Sequence, residues 1–380
     1  MLAYHFTEMP YPFLPEDAEQ RYGSLRVTFP NRYFDPKIGH ELYNRYLDEY
    51  EYADELGLEI MLNEHHQTAT CTDAICAISA AALIRRTRRA KILLLGSPLP
   101  HRDNPLRVAE EVAMLDVISG GRIISGFVRG VGSEIHPANT NPVQNRERFE
   151  EAHDLIIKAW TTHEPFHWEG KHFHFRYANP WPRPYQQPHP PIWITGTSPD
   201  SAPWVADHQY PFATFLTPWD AAERLFNVYR ARCRERGFPE PGPEKFAYLA
   251  MCHTGATDAQ AQETGRKLLW YLHRTRPPGF FMPHGYQPAA ALARAYVNTT
   301  RYTRSWEQLQ ADGVVICGGP STVLKRVREM HERLGVGHLL MMNQAGFMTS
   351  DETRRSMELF AREVYPAVRG LGDRTPVPAS

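Results

Sequence analysis

Short, almost continuously apolar runs recur along this chain, each followed by a polar or glycine-containing loop. After each loop comes a stretch in which apolar residues return every three or four positions. The first pattern predicts strands over 2–6, 58–62, 92–95, 123–127, 192–195, 212–216, 246–251 and 338–342. Runs without polar alternation suit parallel strands covered on both faces. The second pattern predicts helices over 38–56, 74–87, 106–118, 146–161, 220–236 and 320–334. Asp73 stands where the second helix needs an N-cap, and Gly57, Gly120 and Gly335 stand where helices should stop. Eight strands alternating with helices predict the α/β class, as a (β/α)8 barrel, rather than a doubly wound sheet. No long linker divides the chain, so a single domain is expected over 1–370 with a tail at 371–380. Insertions are expected near 7–37, with an extra strand over 25–29, near 163–191, as a hairpin plus irregular loop, and near 270–312.

Composition changes this picture little. The chain has 380 residues, 42% hydrophobic and 22% charged, which is ordinary globular usage. A net charge of -1 gives no electrostatic reason to expect nucleic acid or an anionic membrane as partner. No apolar run approaches the roughly 18 residues of a spanning helix, and the first residues lack the basic start of a signal peptide. Five cysteines without a C-x-x-C pair read as reduced thiols, so the expected compartment is cytoplasmic.

The candidate chemistry sits at strand ends. Glu64-His65-His66 follows the second strand and delivers two imidazoles and a carboxylate to a rim where ligands bind. The bland alternative is a satisfied structural histidine. Arg129 directly follows the fourth strand in Phe127-Val128-Arg129-Gly130-Val131-Gly132, where a planar, permanently charged fork suits a phosphate; a surface salt bridge is the alternative. No G-x-G-x-x-G occurs there, so a dinucleotide fingerprint is not supported. Gly196-Thr197-Ser198-Pro199-Asp200-Ser201 ends the fifth strand in a hydroxyl-rich turn that can meet an anion, or serve as a mere N-capping turn. His163-Glu164-Pro165-Phe166-His167 matches the H-E-x-x-H pattern, but Pro165 interrupts the helix that zinc ligation there requires, so no metal is expected.

Taken together, Glu64-His65-His66, Asn104-Pro105-Leu106-Arg107-Val108-Ala109-Glu110-Glu111, Gly121-Arg122, Val128-Arg129-Gly130, Gly196-Thr197-Ser198, Gly318-Gly319-Pro320-Ser321 and Glu363-Val364-Tyr365-Pro366 resemble the bacterial luciferase-like flavin monooxygenases. The resemblance covers most of the chain. It implies a barrel that takes reduced FMN at its C-terminal mouth, with Arg129, Gly196, Thr197, Ser198 and Ser201 at the flavin phosphate. It also implies a non-prolyl cis peptide at Gly96-Ser97 beneath the flavin ring, and His65 as catalytic base supported by Glu64 and His66. The partners implied are dioxygen, a small organic substrate, a separate NAD(P)H-dependent flavin reductase and a second copy in a homodimer. Phe280, Phe281, Tyr286 and Tyr296 suggest that the substrate is apolar or aromatic. The family cysteine before the phosphate arginine is Val128 here, which puts light emission in doubt. Two rival readings stay open: deazaflavin-dependent hydride transfer on the same barrel, and a catalytically silent flavin-binding subunit.

Overall fold

The computed structural model describes residues 1–130, 132–135, 137–275 and 303–372. Its strands are β1 (Leu2–Thr7), β2 (Glu59–Leu62), β3 (Ile92–Pro98), β4 (Ile123–Val128), β5 (Phe166–Glu169), β6 (His174–Ala178), β7 (Ile192–Thr195), β8 (Phe212–Phe215), β9 (Phe246–Thr254), β10 (Val315–Gly318) and β11 (His338–Gln344). Eight of them form a closed parallel barrel in the order β11-β1-β2-β3-β4-β7-β8-β9, shut by the pairing of β9 with both β8 and β11. All eight expected strands are present, and the barrel is the fold that their pattern predicts.

Alternation along each strand divides the core in two. Tyr4, Phe6, Met61, Leu93, Leu95, Trp193, Leu249, Leu340 and Met342 belong to one buried cluster, which fills the barrel. Their strand neighbours Ala3, Ile60, Leu62, Ile92, Leu94, Ile194, Leu339 and Met341 belong to the other, which joins the barrel to its helices. Both faces of each strand are therefore dry, which is why the runs read as continuously apolar. The helices Pro36–Glu55, Cys76–Arg86, Pro105–Ser119, Asn145–Thr161, Trp219–Glu235 and Pro320–Leu334 match the predicted periodicity to within two residues at each end. Gly120 and Gly335 end two of them in the left-handed conformation. Among the described residues no helix is long and apolar enough to cross a membrane.

Three expectations are corrected. Residues 25–29 form a turn, not a strand: the Ser24 hydroxyl accepts from the N–H groups of Arg26 and Val27, which leaves those donors unavailable to a ladder. Asp73 does not cap the second helix, which starts at Cys76. That helix's first N–H points to the Glu64 carboxylate at 3.4 Å, while Asp73 accepts from the Ser79 hydroxyl at 2.8 Å. β10 was not anticipated, because Val315–Gly318 is short and pairs only with the end of β9. Of the 270–312 insertion, residues 276–302 lie outside the described residues, and with them Phe280, Phe281, Tyr286 and Tyr296.

The expected hairpin near 163–191 is β5 paired antiparallel with β6. Its turn is held from the barrel by Glu151, whose carboxylate accepts from the N–H groups of Lys171, His172 and Phe173 and from the Trp168 indole at 2.9–3.2 Å. Burial opposes the charged form, but those donors outweigh it and hold Glu151 below the usual carboxylate range. The carboxylate's contribution to stability is therefore full above the ordinary value near ~4 and is lost as pH falls through the lower folded value. Glu151→Gln is expected to flatten the acid side of the stability–pH curve and to expose the hairpin to protease. An unchanged curve in that variant would show that the turn does not depend on this charge.

Candidate active site

The side chains at the C-terminal rim come from residues that immediately follow strands. His65, three residues past the end of β2, hydrogen-bonds the Glu134 carboxylate through Nδ1. Its Nε2 stands 3.6 Å from a Glu8 carboxylate oxygen. Glu8 follows β1 and accepts from Asn63 Nδ2 at 2.7 Å. Arg26, from the N-terminal insertion, is buried against the same group and donates to the Tyr271 hydroxyl at 3.4 Å. Burial disfavours its charge, yet Tyr271, Glu134 and Glu8 more than compensate and leave the guanidinium above its ordinary value. One imidazole thus sits between two buried carboxylates, with one buried cation beside them.

Glu64 turns away from His65. It takes His66 Nε2 at 3.0 Å, Arg102 and the start of the Cys76–Arg86 helix. The expected support of His65 by its sequence neighbours is therefore corrected: Glu134 and Glu8 flank it, and Glu64 with His66 forms a separate pair. His101, beyond β3, is neutral by burial, which pushes its imidazole down to about 4 against the pull of Glu134.

The opposite side of the rim is cationic. Arg129 lines a cleft with Arg146, Thr195, Ser201, Phe149 and Trp204. Burial, and then Arg146, makes its guanidinium harder to protonate than an ordinary arginine, with Asp200 and Glu150 pulling only partly the other way. Among the described residues no carboxylate forms an ion pair with Arg129. Glu150 also lines the cleft, and a half-buried arginine that forms no ion pair, beside a second arginine and the buried Ser201 hydroxyl, is what an anion would satisfy. Of the predicted turn, Ser201 lines the cleft, while Gly196 and Ser198 brace it: Gly196 N–H donates to Ala213 O at 3.0 Å and Ser201 Oγ donates to Ser198 O at 2.6 Å. Thr197 is exposed.

Between the two sides, β3 and β4 approach unusually closely where their register slips between Leu94 and Ser97. A Cβ on Gly126 would fall 2.4 Å from Leu94 O, and one on Gly96 2.7 Å from Val128 Cγ1. The non-prolyl cis bond joins Leu95 to Gly96, one bond before the expected Gly96-Ser97 pair; Gly96 is the residue that Val128 and Gly126 crowd. Aromatic rings edge the mouth, with Trp270, Phe347 and Phe13 in successive contacts of 6.5 and 6.2 Å.

Two sequence features are elsewhere. His167 lies within β5 and not on a helix, so the H-E-x-x-H spacing does not bring ligands together. The Gly318-Gly319 turn is filled by the chain itself: Asp258 accepts from Gly319 N–H at 2.6 Å and from the Thr322 hydroxyl at 3.0 Å.

Comparison with known proteins gives the same direction. A family described as luciferase-like monooxygenase matches residues 30–337. An uncharacterized protein of Sinorhizobium fredii is 30% identical over 200 residues, which is 51% of this chain and 57% of that protein. The oxygenase component of a flavin-dependent trigonelline monooxygenase from Acinetobacter baylyi is 28% identical over 88% of this chain and 92% of its own. Among solved structures, the oxygenating constituent of 3,6-diketocamphane monooxygenase from Pseudomonas putida, in complex with FMN, superposes with a TM-score of 0.74 at 19% identity, covering 96% of this chain and 97% of that one. An F420-dependent secondary alcohol dehydrogenase superposes with a TM-score of 0.67 at 18% identity, covering 86% and 95%.

The crowding at Gly126 is directly testable. Gly126→Ala is expected to lower the free energy of unfolding by about 1–3 kcal/mol, because the added methyl meets a backbone oxygen that cannot move without its strand. Chemical denaturation of the variant checks this; wild-type stability would mean that the two strands are not pressed together.

Proposed function

This chain belongs to the luciferase-like monooxygenase family and is an oxidoreductase of that kind, and on that premise we propose that it is the oxygenase of a two-component system using reduced FMN and dioxygen. The reading rests above all on Arg129, half-buried in a cleft at the rim of the barrel beside the exposed Arg146 and the buried Ser201, which suits a phosphate. Arg129, with its rigid fork, would hold the phosphate, Arg146 would add charge, and the Gly196–Ser198 turn would fix Ser201. Gly96 and Gly126 let β3 and β4 pack closely, with Val128 and Leu95 filling the space a Cβ would take, and a planar ring could lie over this stretch beside Ser97. When bound, the flavin supplies the electrons and the activation of dioxygen, and the protein's part is binding, orientation and proton handling.

His65 moves the proton. Its Nδ1 hydrogen bond to Glu134 fixes the ring and leaves Nε2 toward Glu8 and the mouth. The aromatic edge of Trp270, Phe347 and Phe13 suits a small apolar or aromatic organic substrate. A separate NAD(P)H-dependent flavin reductase would supply the reduced cofactor. Pairing into a homodimer fits the exposed apolar row Ile75, Ile78, Met114, Val117 and Ile118 on two adjacent helices, and a cytoplasmic setting fits the buried free thiols. Hydride transfer with a deazaflavin is the second reading, because the F420-dependent enzyme shares the fold over most of both chains.

Arg129→Met is expected to weaken FMN binding by roughly 10–100-fold while leaving the affinity for riboflavin, which lacks the phosphate, unchanged. Equal losses for both ligands would place Arg129 away from the phosphate. His65→Ala should keep FMN affinity within about twofold and lose turnover across a panel of small apolar substrates; full turnover in that variant would remove His65 from the mechanism.

A further inference from the structure

Outside the rim, one cluster of side chains has no part in the function proposed above. His153 lies on the Asn145–Thr161 helix with Asp154 beside it, and His208 follows the Ala202–Asp207 helix. Among the described residues these three form the one group of histidine, cysteine and acidic side chains whose ligand atoms all lie within 4.8 Å of one another. We propose that His153, Asp154 and His208 bind a divalent transition-metal cation of the Zn2+ type on the outer face of the barrel.

The hydrogen bonds around the two imidazoles carry the inference. His208 Nδ1 donates to Trp204 O at 2.8 Å, and a carbonyl can only accept, so Nε2 is the nitrogen left for a ligand. His153 is only 2% exposed and is held at both ends: Nδ1 donates to Asp154 Oδ1 at 2.9 Å, and Nε2 meets the Tyr210 hydroxyl at 2.9 Å. A cation entering between His153 and Asp154 replaces the Nδ1 proton. That proton moves to Nε2, where the Tyr210 oxygen, a donor in the metal-free ring, rotates to accept it. Each histidine would then bind metal through one nitrogen and give its other N–H to a protein oxygen, the arrangement that orients metal-ligating imidazoles. Two imidazoles and a carboxylate suit zinc and leave one tetrahedral position for water. Asp154 is 63% exposed, so the site opens to solvent and needs no path through the fold.

The ring of Trp204 lies 4.1 Å from that of His208 and also lines the Arg129 cleft. A bound cation would therefore stiffen the wall of the anion cleft from behind, without touching it.

Calorimetric titration of tag-free, chelator-treated protein with Zn2+, followed by Co2+ absorbance, tests the site. One tight equivalent is expected, with visible bands of a tetrahedral nitrogen and oxygen environment. His208→Ala and Asp154→Ala, both at the surface, should each weaken binding roughly tenfold or more. His163→Ala with His167→Ala, in the H-E-x-x-H stretch, should change nothing. Absence of binding, binding indifferent to both His208→Ala and Asp154→Ala, or loss in the His163/His167 variant would each overturn the assignment. Flavin affinity is not read in any arm, so these outcomes stand apart from those for the rim.

Discussion

A parallel sheet can avoid edges only by closing on itself, and here β1 bonds β2 on one side and β11 on the other while β9 is shared between β8 and β11. Closure sends all eight C-terminal strand ends to one rim, so residues far apart in sequence become neighbours. Glu8 follows β1, His65 follows β2, Ser97 lies near the end of β3, Arg129 follows β4 and Thr195 ends β7. The tightest point of the ring is β3 against β4, where Gly96 and Gly126 replace side chains with contact between backbones. A wider approach there would separate the two charged sides of the rim.

Those sides are kept electrically distinct. Around His65, buried Glu8 and Glu134 both face buried Arg26, so the cluster holds its own counter-charge. Across the ring, Arg129 and Arg146 share a cleft that Glu150 also lines, and among the described residues no carboxylate forms an ion pair with Arg129. Partial burial of the Arg129 guanidinium without an ion pair is costly unless a counter-charge arrives. On the function proposed above, a ligand anion would be that counter-charge, and the rim would separate a binding end from a proton-transfer end.

Most of this could be read from the chain because each signal was local. The eight strands, the glycine helix stops, the hairpin and the strand-end placement of His65 and Arg129 all follow from runs of neighbouring residues. What escaped was long-range. Glu134 is 69 residues from His65 and Glu8 is 57 before it, and nothing local to Glu64-His65-His66 says which carboxylate turns inward. Glu64 was the nearer choice, but Arg102, 38 residues on, draws it away. Arg26 and Arg146 carry no local signal of a role: packing buries the first and sets the second beside Arg129. Asp73 failed as a cap for the same reason: a tertiary carboxylate, Glu64, reached that helix's first N–H. The 25–29 run had strand composition, yet Ser24 took its donors.

The account turns on which cofactor the cleft takes. Anaerobic titration of the protein with reduced FMN, run in parallel with the reduced deazaflavin cofactor, addresses this directly. Saturable binding of FMN that the deazaflavin does not displace is the predicted result. Binding of the deazaflavin with none of FMN would contradict the account and assign this barrel to hydride transfer.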